Sequence, residues 1–146
     1  MFPFKTKQRN YVLKAAEAIV KILELEGIDT AYGIPGVGIN PVYKYLGESS
    51  KIKTFCHRHE ECCVHAASGH FRASGKMAVA ICTSGPGATN FTTGIYTSNI
   101  DSIPVLAITG QGVSTLIGKD AFQCVDMAKI AEPVAKKTYC IMNAKT

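Results

Sequence analysis

Residues 77–83 read Met-Ala-Val-Ala-Ile-Cys-Thr, and the turn-forming sequence Ser-Gly-Pro-Gly follows at residues 84–87. A short run that is apolar throughout, rather than at every second position, is typical of a strand buried on both faces of a parallel sheet. Residues 104–109, Pro-Val-Leu-Ala-Ile-Thr, have the same character and end at Gly110. The two runs therefore predict two strands of a parallel sheet.

Helical and strand patterns alternate around these two runs. Within residues 11–27 the apolar side chains recur at the helical period, and Gly27 is a stop signal for that helix. The alternation predicts a three-layer α/β fold, in which helices cover a mostly parallel sheet. The other predicted helices are residues 39–46, 60–74, 88–100 and 125–131, and the other predicted strands are residues 30–32, 53–56 and 134–141.

Length and composition fit one globular domain. The chain has 146 residues, 47% of them hydrophobic and 18% charged. It lacks the run of about 18 apolar residues that a membrane-spanning helix needs. We expect residues 1–10 to be a mobile lead-in and residues 11–146 to form the domain. Because the lead-in lacks the apolar segment of a secretion signal, we expect a cytoplasmic protein with reduced cysteines.

The net charge of +5 does not indicate a nucleic-acid partner. Apart from Lys5, Lys7 and Arg9, the basic residues are scattered along the chain. A nucleic-acid-binding stripe would cluster them and mix them with stacking aromatic residues. We therefore expect neither a nucleic-acid partner nor a membrane partner.

The unusual residues follow the predicted strands. Gly-rich loops come after Tyr32, Thr83 and Thr109, and a histidine-rich turn comes after Cys56. Parallel strands end at the same edge of a sheet, where α/β folds bind their ligands. The sequence therefore predicts one site at that edge.

The loop of residues 83–90, Thr-Ser-Gly-Pro-Gly-Ala-Thr-Asn, has two interpretations when it is taken alone. Its glycines let the backbone approach a ligand, and the next helix offers free N–H groups, which would suit a nucleotide-binding module. The loop has neither a GxGxxG spacing nor the lysine of a P-loop, so a tight turn without a ligand is the other interpretation.

Residues 56–65, Cys-His-Arg-His-Glu-Glu-Cys-Cys-Val-His, also allow alternatives. Their Cys and His side chains could bind zinc, but the spacing matches no closed zinc site. A carboxylate at a strand-to-helix junction can instead pass a proton or hydrogen-bond a ligand ring, and for Glu60 this interpretation stands beside the simpler one that it favours the helix N-terminus. For Glu61 we prefer the interpretation that it favours the helix N-terminus.

Residues 120–123, Asp-Ala-Phe-Gln, carry little signal by themselves. Taken alone, Asp120 is typical of a helix cap, Phe122 of a core residue and Gln123 of a solvated amide. They gain meaning only together with the other motifs.

Together these segments resemble the pyrimidine-binding domain of thiamine-diphosphate-dependent enzymes, in particular that of acetolactate synthase large subunits. The resemblance extends from about residue 11 to residue 141. Each motif is modest, but their joint occurrence in the matching order is specific. The motifs are Tyr32-Gly33-Ile34-Pro35-Gly36, Arg58-His59-Glu60, His65-Ala66-Ala67, Arg72 to Lys76, Thr83 to Asn90, Asp101 to Pro104, Thr109-Gly110-Gln111, Ile117-Gly118 and Asp120 to Gln123.

The resemblance implies that Glu60 is a catalytic residue. In that family the glutamate of Arg-His-Glu hydrogen-bonds N1′ of the aminopyrimidine of thiamine diphosphate and favours the imino tautomer that activates the thiazolium. The cofactor then carries the carbanion chemistry. The implied reaction decarboxylates pyruvate and joins the two-carbon unit to a second 2-oxo acid, a step of branched-chain amino acid biosynthesis.

The resemblance also implies which residues line the site. Pro35 and Gly36 would line the catalytic loop, and His65 would either lie behind the site or pack between helices. The residues implied to contact the aminopyrimidine are Thr83, Pro86, Gly87 and Asn90, and those implied on the substrate side are Val37, Phe122 and the second catalytic residue, Gln123.

Departures from the family pattern leave the substrate open. Val37 replaces the second glycine of the usual Pro-Gly-Gly and adds bulk beside the reacting carbon, and Glu61-Cys62-Cys63 replaces the usual Gln-Gly-Ala. Residues 39–41, Ile-Asn-Pro, are similar to glyoxylate carboligases, although those enzymes carry valine where this chain has Glu60. Another thiamine-diphosphate decarboxylase or carboligase is therefore the alternative.

Enzymes of this family are several times longer, and a Gly-Asp-Gly sequence in another domain holds magnesium and the diphosphate. No Gly-Asp-Gly occurs in this chain. We expect a C-terminally truncated fragment of the enzyme, inactive alone, whose parent uses magnesium and can also carry FAD.

We further expect a homodimer, because the family places the cofactor between subunits and pairs them through helices equivalent to residues 60–74 and 88–100. The residues expected on those faces are Cys63, Ala66, Ala67, Phe91, Ile95 and Tyr96.

Overall fold

Four parallel strands form the central sheet. The computed structural model describes residues 13–143 of the chain. The strands are β1 (Thr30–Gly33), β2 (Lys53–Cys56), β3 (Val79–Cys82) and β4 (Leu106–Thr109). They are paired in the order β2-β1-β3-β4, all in parallel. Their carboxyl ends consequently lie at one edge of the sheet, as the sequence predicts.

Helices cover both faces of this sheet, which confirms the predicted three-layer α/β fold. The first two helices contribute to a core cluster on one face, and the third and fifth to a cluster on the other. The helices are α1 (Ala15–Leu25), α2 (Asn40–Glu48), α3 (Glu60–Ser74), α4 (Pro86–Thr89), α5 (Thr92–Ile100) and α6 (Met127–Ala131), with a 3₁₀ turn at Ser114–Leu116.

The strand β3 is the buried centre of the sheet, because all four of its residues are 0% exposed. Successive side chains of a strand point to opposite faces. Val79 and Ile81 accordingly belong to the cluster with α1 and α2, whereas Ala80 and Cys82 belong to the cluster with α3 and α5. The smaller side chains on the second face let α3 lie close to the sheet.

The strand β4 differs from its expected burial, since Leu106 is 37% exposed. It has the same apolar character as β3, but β4 is paired on one side only. The apolar pattern therefore indicates the strand correctly, and its position in the sheet determines how much of it is buried.

The helix α3 has the bounds that the sequence predicts. His59 precedes it in an extended conformation, and the ring atom Nδ1 of His59 accepts a hydrogen bond from the backbone N–H of Glu61. Gly75 ends the helix with φ of +71°, a left-handed conformation that glycine adopts without a steric cost. The side chain of Glu60 is therefore fixed on the first turn, beside the end of β2.

The predicted helix over residues 88–100 is divided in two. The helix α4 ends at Thr89, and α5 begins at Thr92. Between them Phe91 is 0% exposed and packs in the core with α3 and β3. Burying this ring at the junction turns the chain, so Asn90 lies between two short helices rather than inside one.

The strand predicted over residues 134–141 does not form in the described part of the chain. The carbonyl of Val134 accepts a hydrogen bond from the side-chain amide of Asn99 at 3.1 Å, which holds this segment beside the end of α5. Tyr139 is 77% exposed and Ile141 is 74% exposed. The apolar residues on which the strand prediction rests are thus on the surface, and among the described residues this segment pairs with no strand of the sheet.

Among residues 13–143, no helix combines the length and apolar character needed to cross a membrane. The predicted lead-in of residues 1–10 lies outside the described residues, as do positions 11–12 and 144–146.

Candidate functional site at the carboxyl edge of the sheet

Glu60 lies at the carboxyl edge and contacts the loop that follows β3. Its oxygen Oε2 accepts a hydrogen bond from Nδ2 of Asn90 at 2.9 Å. A Cβ atom at position 87 would lie 3.2 Å from the other oxygen, Oε1. Gly87 therefore leaves Oε1 without a side chain over it, and three of the expected site residues, Glu60, Gly87 and Asn90, are adjacent.

Thr83 joins this group to the loop after β1. A Cβ atom on Gly36 would lie 2.6 Å from Cβ of Thr83, and one on Gly87 would lie 3.0 Å from its methyl group. The hydroxyl of Thr83 accepts a hydrogen bond from the backbone N–H of Gly38 at 3.1 Å. The backbones of both glycines are thus packed against one threonine side chain, and a larger residue at either position would clash with it or push it aside.

The buried thiol of Cys82 supports the same loop, since Sγ donates a hydrogen bond to the carbonyl of Gly87 at 3.3 Å. Burial, with a smaller contribution from the charge of Glu60, raises the pKa of Cys82 above its ordinary range. The same causes raise the pKa of Cys63 to about 12. Both thiols therefore remain protonated at neutral pH, and Cys82 keeps its donor.

Gln123 packs against Gly85 with its Cα and with the first two carbons of its side chain. A Cβ atom on Gly85 would lie 2.5 Å from Cα of Gln123, and both residues have φ of +64°. A positive φ is costly for a residue other than glycine, and such strain clusters at functional sites. The side chain of Gln111 steadies this loop by donating to the carbonyl of Val125 at 2.8 Å.

The remaining expected site residues are exposed on the same set of loops. Val37 is 86% exposed, Phe122 is 88% exposed, and Pro35 and Pro86 are also exposed. The interpretation of Phe122 as a core residue is therefore wrong. Its loop contains the 3₁₀ turn and α6 but no sheet strand to bury the ring.

Two further expectations concern Asp120 and His65. Asp120 caps no helix; Asp126 does so instead, because its oxygen Oδ1 accepts from the N–H of Lys129 at 3.2 Å in α6. That bond lowers the pKa of Asp126 from its ordinary value.

His65 is exposed, and its Nε2 lies 3.3 Å from Oε1 of Glu61. It neither packs between helices nor contacts Glu60.

The cysteine-rich turn does not form a metal centre in the described residues. Within positions 13–143, no three His, Cys, Asp or Glu side chains are arranged to hold a metal ion. The thiols of Cys56 and Cys63 instead point to backbone carbonyls, at 3.6 Å from His57 and 3.7 Å from His59.

A cavity of about 180 Å³ lies elsewhere, between α1 and α2. Glu24 on its wall accepts a hydrogen bond from the hydroxyl of Ser49 at 2.6 Å, and this bond lowers the pKa of Glu24. Lys21 lies 3.2 Å from the other oxygen of Glu24. The bond from Ser49 joins α1 to the end of α2, and the two bonds together satisfy both oxygens of Glu24.

Sequence comparisons identify a matching family and relatives of this chain. A family profile described as thiamine pyrophosphate enzyme, N-terminal TPP binding domain, matches residues 13–130. The chain is 45% identical over 131 residues to the acetolactate synthase large subunit of Corynebacterium glutamicum, covering 90% of this chain and 21% of the relative. It is 46% identical over 129 residues to the probable acetolactate synthase large subunit of Methanocaldococcus jannaschii, covering 88% and 22%. With the Haemophilus influenzae large subunit the identity is 41% over 133 residues, covering 91% and 23%. The chain thus spans about one fifth of these relatives.

Proposed function

Since the chain belongs to the thiamine pyrophosphate enzyme family and matches its N-terminal binding domain, we propose that the carboxyl edge around Glu60 is the aminopyrimidine side of a thiamine diphosphate site. The whole enzyme would be an acetolactate synthase-like carboligase of branched-chain amino acid biosynthesis that acts on 2-oxo acids. The observation that carries the proposal is the Glu60 carboxylate, which is held by Asn90 and open at Oε1 beside Gly87.

The residues present fit an aminopyrimidine ring. Such a ring offers N–H donors and a basic nitrogen. A carboxylate can accept a hydrogen bond from the N–H donors and can exchange a proton with the basic nitrogen. Oε1 of Glu60 accepts no hydrogen bond from residues 13–143, whereas Oε2 has Asn90 as its donor. The glycine at position 87 keeps the approach to Oε1 free of a side chain.

Each residue then has a distinct task. When bound, thiamine diphosphate supplies the carbanion chemistry of decarboxylation and carbon–carbon bond formation. Glu60 holds and exchanges a proton, which a carboxyl group can do and an amide cannot. Thr83 and Gly36 position the two glycine-containing loops. Pro35 and Pro86 border the cofactor, while Val37, Phe122 and Gln123 face the 2-oxo acid, with Gln123 as the second catalytic residue.

The diphosphate and its magnesium would be bound by another part of the parent enzyme, and FAD remains a prediction from the resemblance. The same holds for the boundaries of the domain at residues 11 and 146 and for the cytoplasmic location. Under this proposal the chain alone contributes one half of a cofactor site.

We also propose a homodimer through the face of α3 and α5. Tyr96 and Ile100, one helical turn apart on α5, are 52% and 65% exposed. Cys63, Ala67 and Phe91 are 0% exposed and pack in the core, so they cannot form the interface that we expected of them. Exposed apolar side chains on one face favour association with a second copy.

The test joins residues 1–143 to the remaining domains of the Corynebacterium glutamicum relative. The fused enzyme should form acetolactate from pyruvate when thiamine diphosphate and magnesium are present. The 146-residue chain alone should form none and should bind the cofactor weakly in calorimetry. Tight magnesium-dependent binding by the chain alone would contradict the shared site. A fused enzyme that folds and binds the cofactor, yet converts no 2-oxo acid, would contradict the assigned activity.

A further inference from the structure

We propose that Asn90 is a positioning residue that determines which oxygen of Glu60 exchanges the proton. Its amide occupies Oε2, which leaves Oε1 as the oxygen that takes up and releases the proton. This inference rests on the proposed function, because it concerns the carboxylate that would face the aminopyrimidine.

The backbone around Asn90 fixes the amide in place. Asn90 follows the last residue of α4 in a right-handed helical conformation, and its N–H donates to the carbonyl of Pro86 at 3.1 Å. The next residue, Phe91, is 0% exposed in the core. Since the chain is anchored on both sides, the amide meets Glu60 from a defined direction, although the two residues are 30 positions apart.

The chemistry of the two groups determines the orientation of the bond. An ionised carboxylate only accepts hydrogen bonds, so the NH₂ end of the amide must face Oε2. An N–H donor at 2.9 Å makes Oε2 a poor place for a proton, because the proton would point at the donor. The open oxygen, Oε1, lies beside Gly87. Proton exchange at Oε1 therefore leaves the bond to Asn90 intact and involves no oxidation or reduction.

A purely structural role for Asn90 would have different consequences. If the amide only held α4 against α3, its removal would lower the stability of the fold and leave kcat of the folded, cofactor-loaded enzyme unchanged. If the amide positions the carboxyl, its removal changes the spectroscopic signature of Glu60 even where the fold is intact.

The experiment is an NMR comparison of the 146-residue chain with three variants. Asn90→Ala removes the donor, Glu60→Gln removes the carboxylate, and Asn99→Ala is the control, because Asn99 donates to a backbone carbonyl outside the site. We expect the side-chain amide protons of Asn90 to have a chemical shift downfield of that of an amide without this hydrogen bond. In Glu60→Gln this downfield shift should be lost. The carboxyl carbon of Glu60 should shift in Asn90→Ala and stay unchanged in Asn99→Ala.

A kinetic measurement on the fused enzyme separates this inference from the proposed function. Asn90→Ala should lower kcat by about tenfold or more while the KM for the cofactor changes less than about threefold. An unchanged Glu60 carboxyl signal in Asn90→Ala would overturn the positioning role, even if Glu60→Gln is inactive. If that signal shifts and Glu60→Gln nevertheless retains full turnover, the positioning stands and the proposed function fails.

Discussion

The hydroxyl oxygen of Thr83 accepts a hydrogen bond from the backbone N–H of Gly38 at 3.1 Å, while the methyl group of the same side chain packs against Gly36 and Gly87. One side chain thereby joins the loop after β1 to the loop after β3. The polar contact and the apolar contact can be removed separately, because valine keeps the methyl and serine keeps the hydroxyl.

Replacing Thr83 by valine should release the loop after β1. The N–H of Gly38 loses its acceptor, which costs about 1 kcal/mol of folding free energy. Amide exchange at Gly38 should accelerate in Thr83→Val and remain slow in Thr83→Ser, as measured by NMR. Equal protection of Gly38 in the valine variant and in the unchanged chain would show that the hydroxyl does not hold the loop.

A methyl group added at Gly36 should destabilise the fold. The new Cβ would lie 2.6 Å from Cβ of Thr83, and overpacking of this kind costs about 1–3 kcal/mol. Gly69 in α3 is the matched control, since a Cβ there meets nothing within 4 Å. Gly69→Ala should instead stabilise the chain by about 0.5–1 kcal/mol. Urea denaturation measures both effects, and similar midpoints for the two variants would refute the close packing.

The fold should lose stability at alkaline pH. Burial raises the pKa of Cys63 from its ordinary value of 9.0 to about 12, and it raises that of Cys82 as well. A thiol that stays protonated in the folded state favours the unfolded state once the pH exceeds the unfolded pKa. Stability is therefore full below about pH 9 and falls between about pH 9 and 12.

Urea denaturation at pH 8, 9 and 10 should show this decline, and it should be smaller in Cys63→Ala. A thiol reagent at pH 8 should label the exposed Cys56, Cys62 and Cys140 well before Cys63 and Cys82. Early labelling of Cys63 in the folded chain would contradict its burial.

The proposed dimer should depend on α5. Ile100→Asp places a charge on the exposed apolar face and should give monomers in sedimentation at micromolar concentration. Ile22→Asp is the control, because Ile22 on α1 is 56% exposed on the other side of the sheet. Monomers in the unchanged chain, or dimers in Ile100→Asp, would remove this face as the interface.

Much of the fold follows from local patterns, and α3 shows why. Glu60 begins it after an extended His59, Gly75 ends it with a positive φ, and both signals lie within the sequence of the helix itself. The sequence does not indicate the division at Asn90 and Phe91, because it results from the burial of one ring against residues distant in sequence.

The absence of a strand over residues 134–141 in the described chain has a similar cause. The apolar residues there suggest a strand, but a strand also needs a free sheet edge beside it. Asn99 holds the carbonyl of Val134 at the end of α5 instead.

The sequence predicts the location of the candidate site, but only some of the contacts between its residues. The parallel topology brings the loops after Tyr32 and Thr83 together, which the alternating pattern already implies. The bond between Glu60 and Asn90 and the contact of Gly85 with Gln123 join residues about 30 to 40 positions apart. No local pattern encodes such pairs. Both Glu60 and Asn90 are indicated as site residues only by the family resemblance.

The central claim is that the Glu60 carboxyl exchanges a proton during turnover, and its most direct test compares Glu60→Gln with Glu61→Gln in the fused enzyme. Glu61 occupies the same helical turn but hydrogen-bonds His65 on the surface. Acetolactate formation should fall by about 100-fold or more in Glu60→Gln, because the amide cannot exchange the proton. It should stay within about threefold in Glu61→Gln, where no general acid or base is lost. Turnover by Glu60→Gln within about threefold of the unchanged enzyme would contradict the claim.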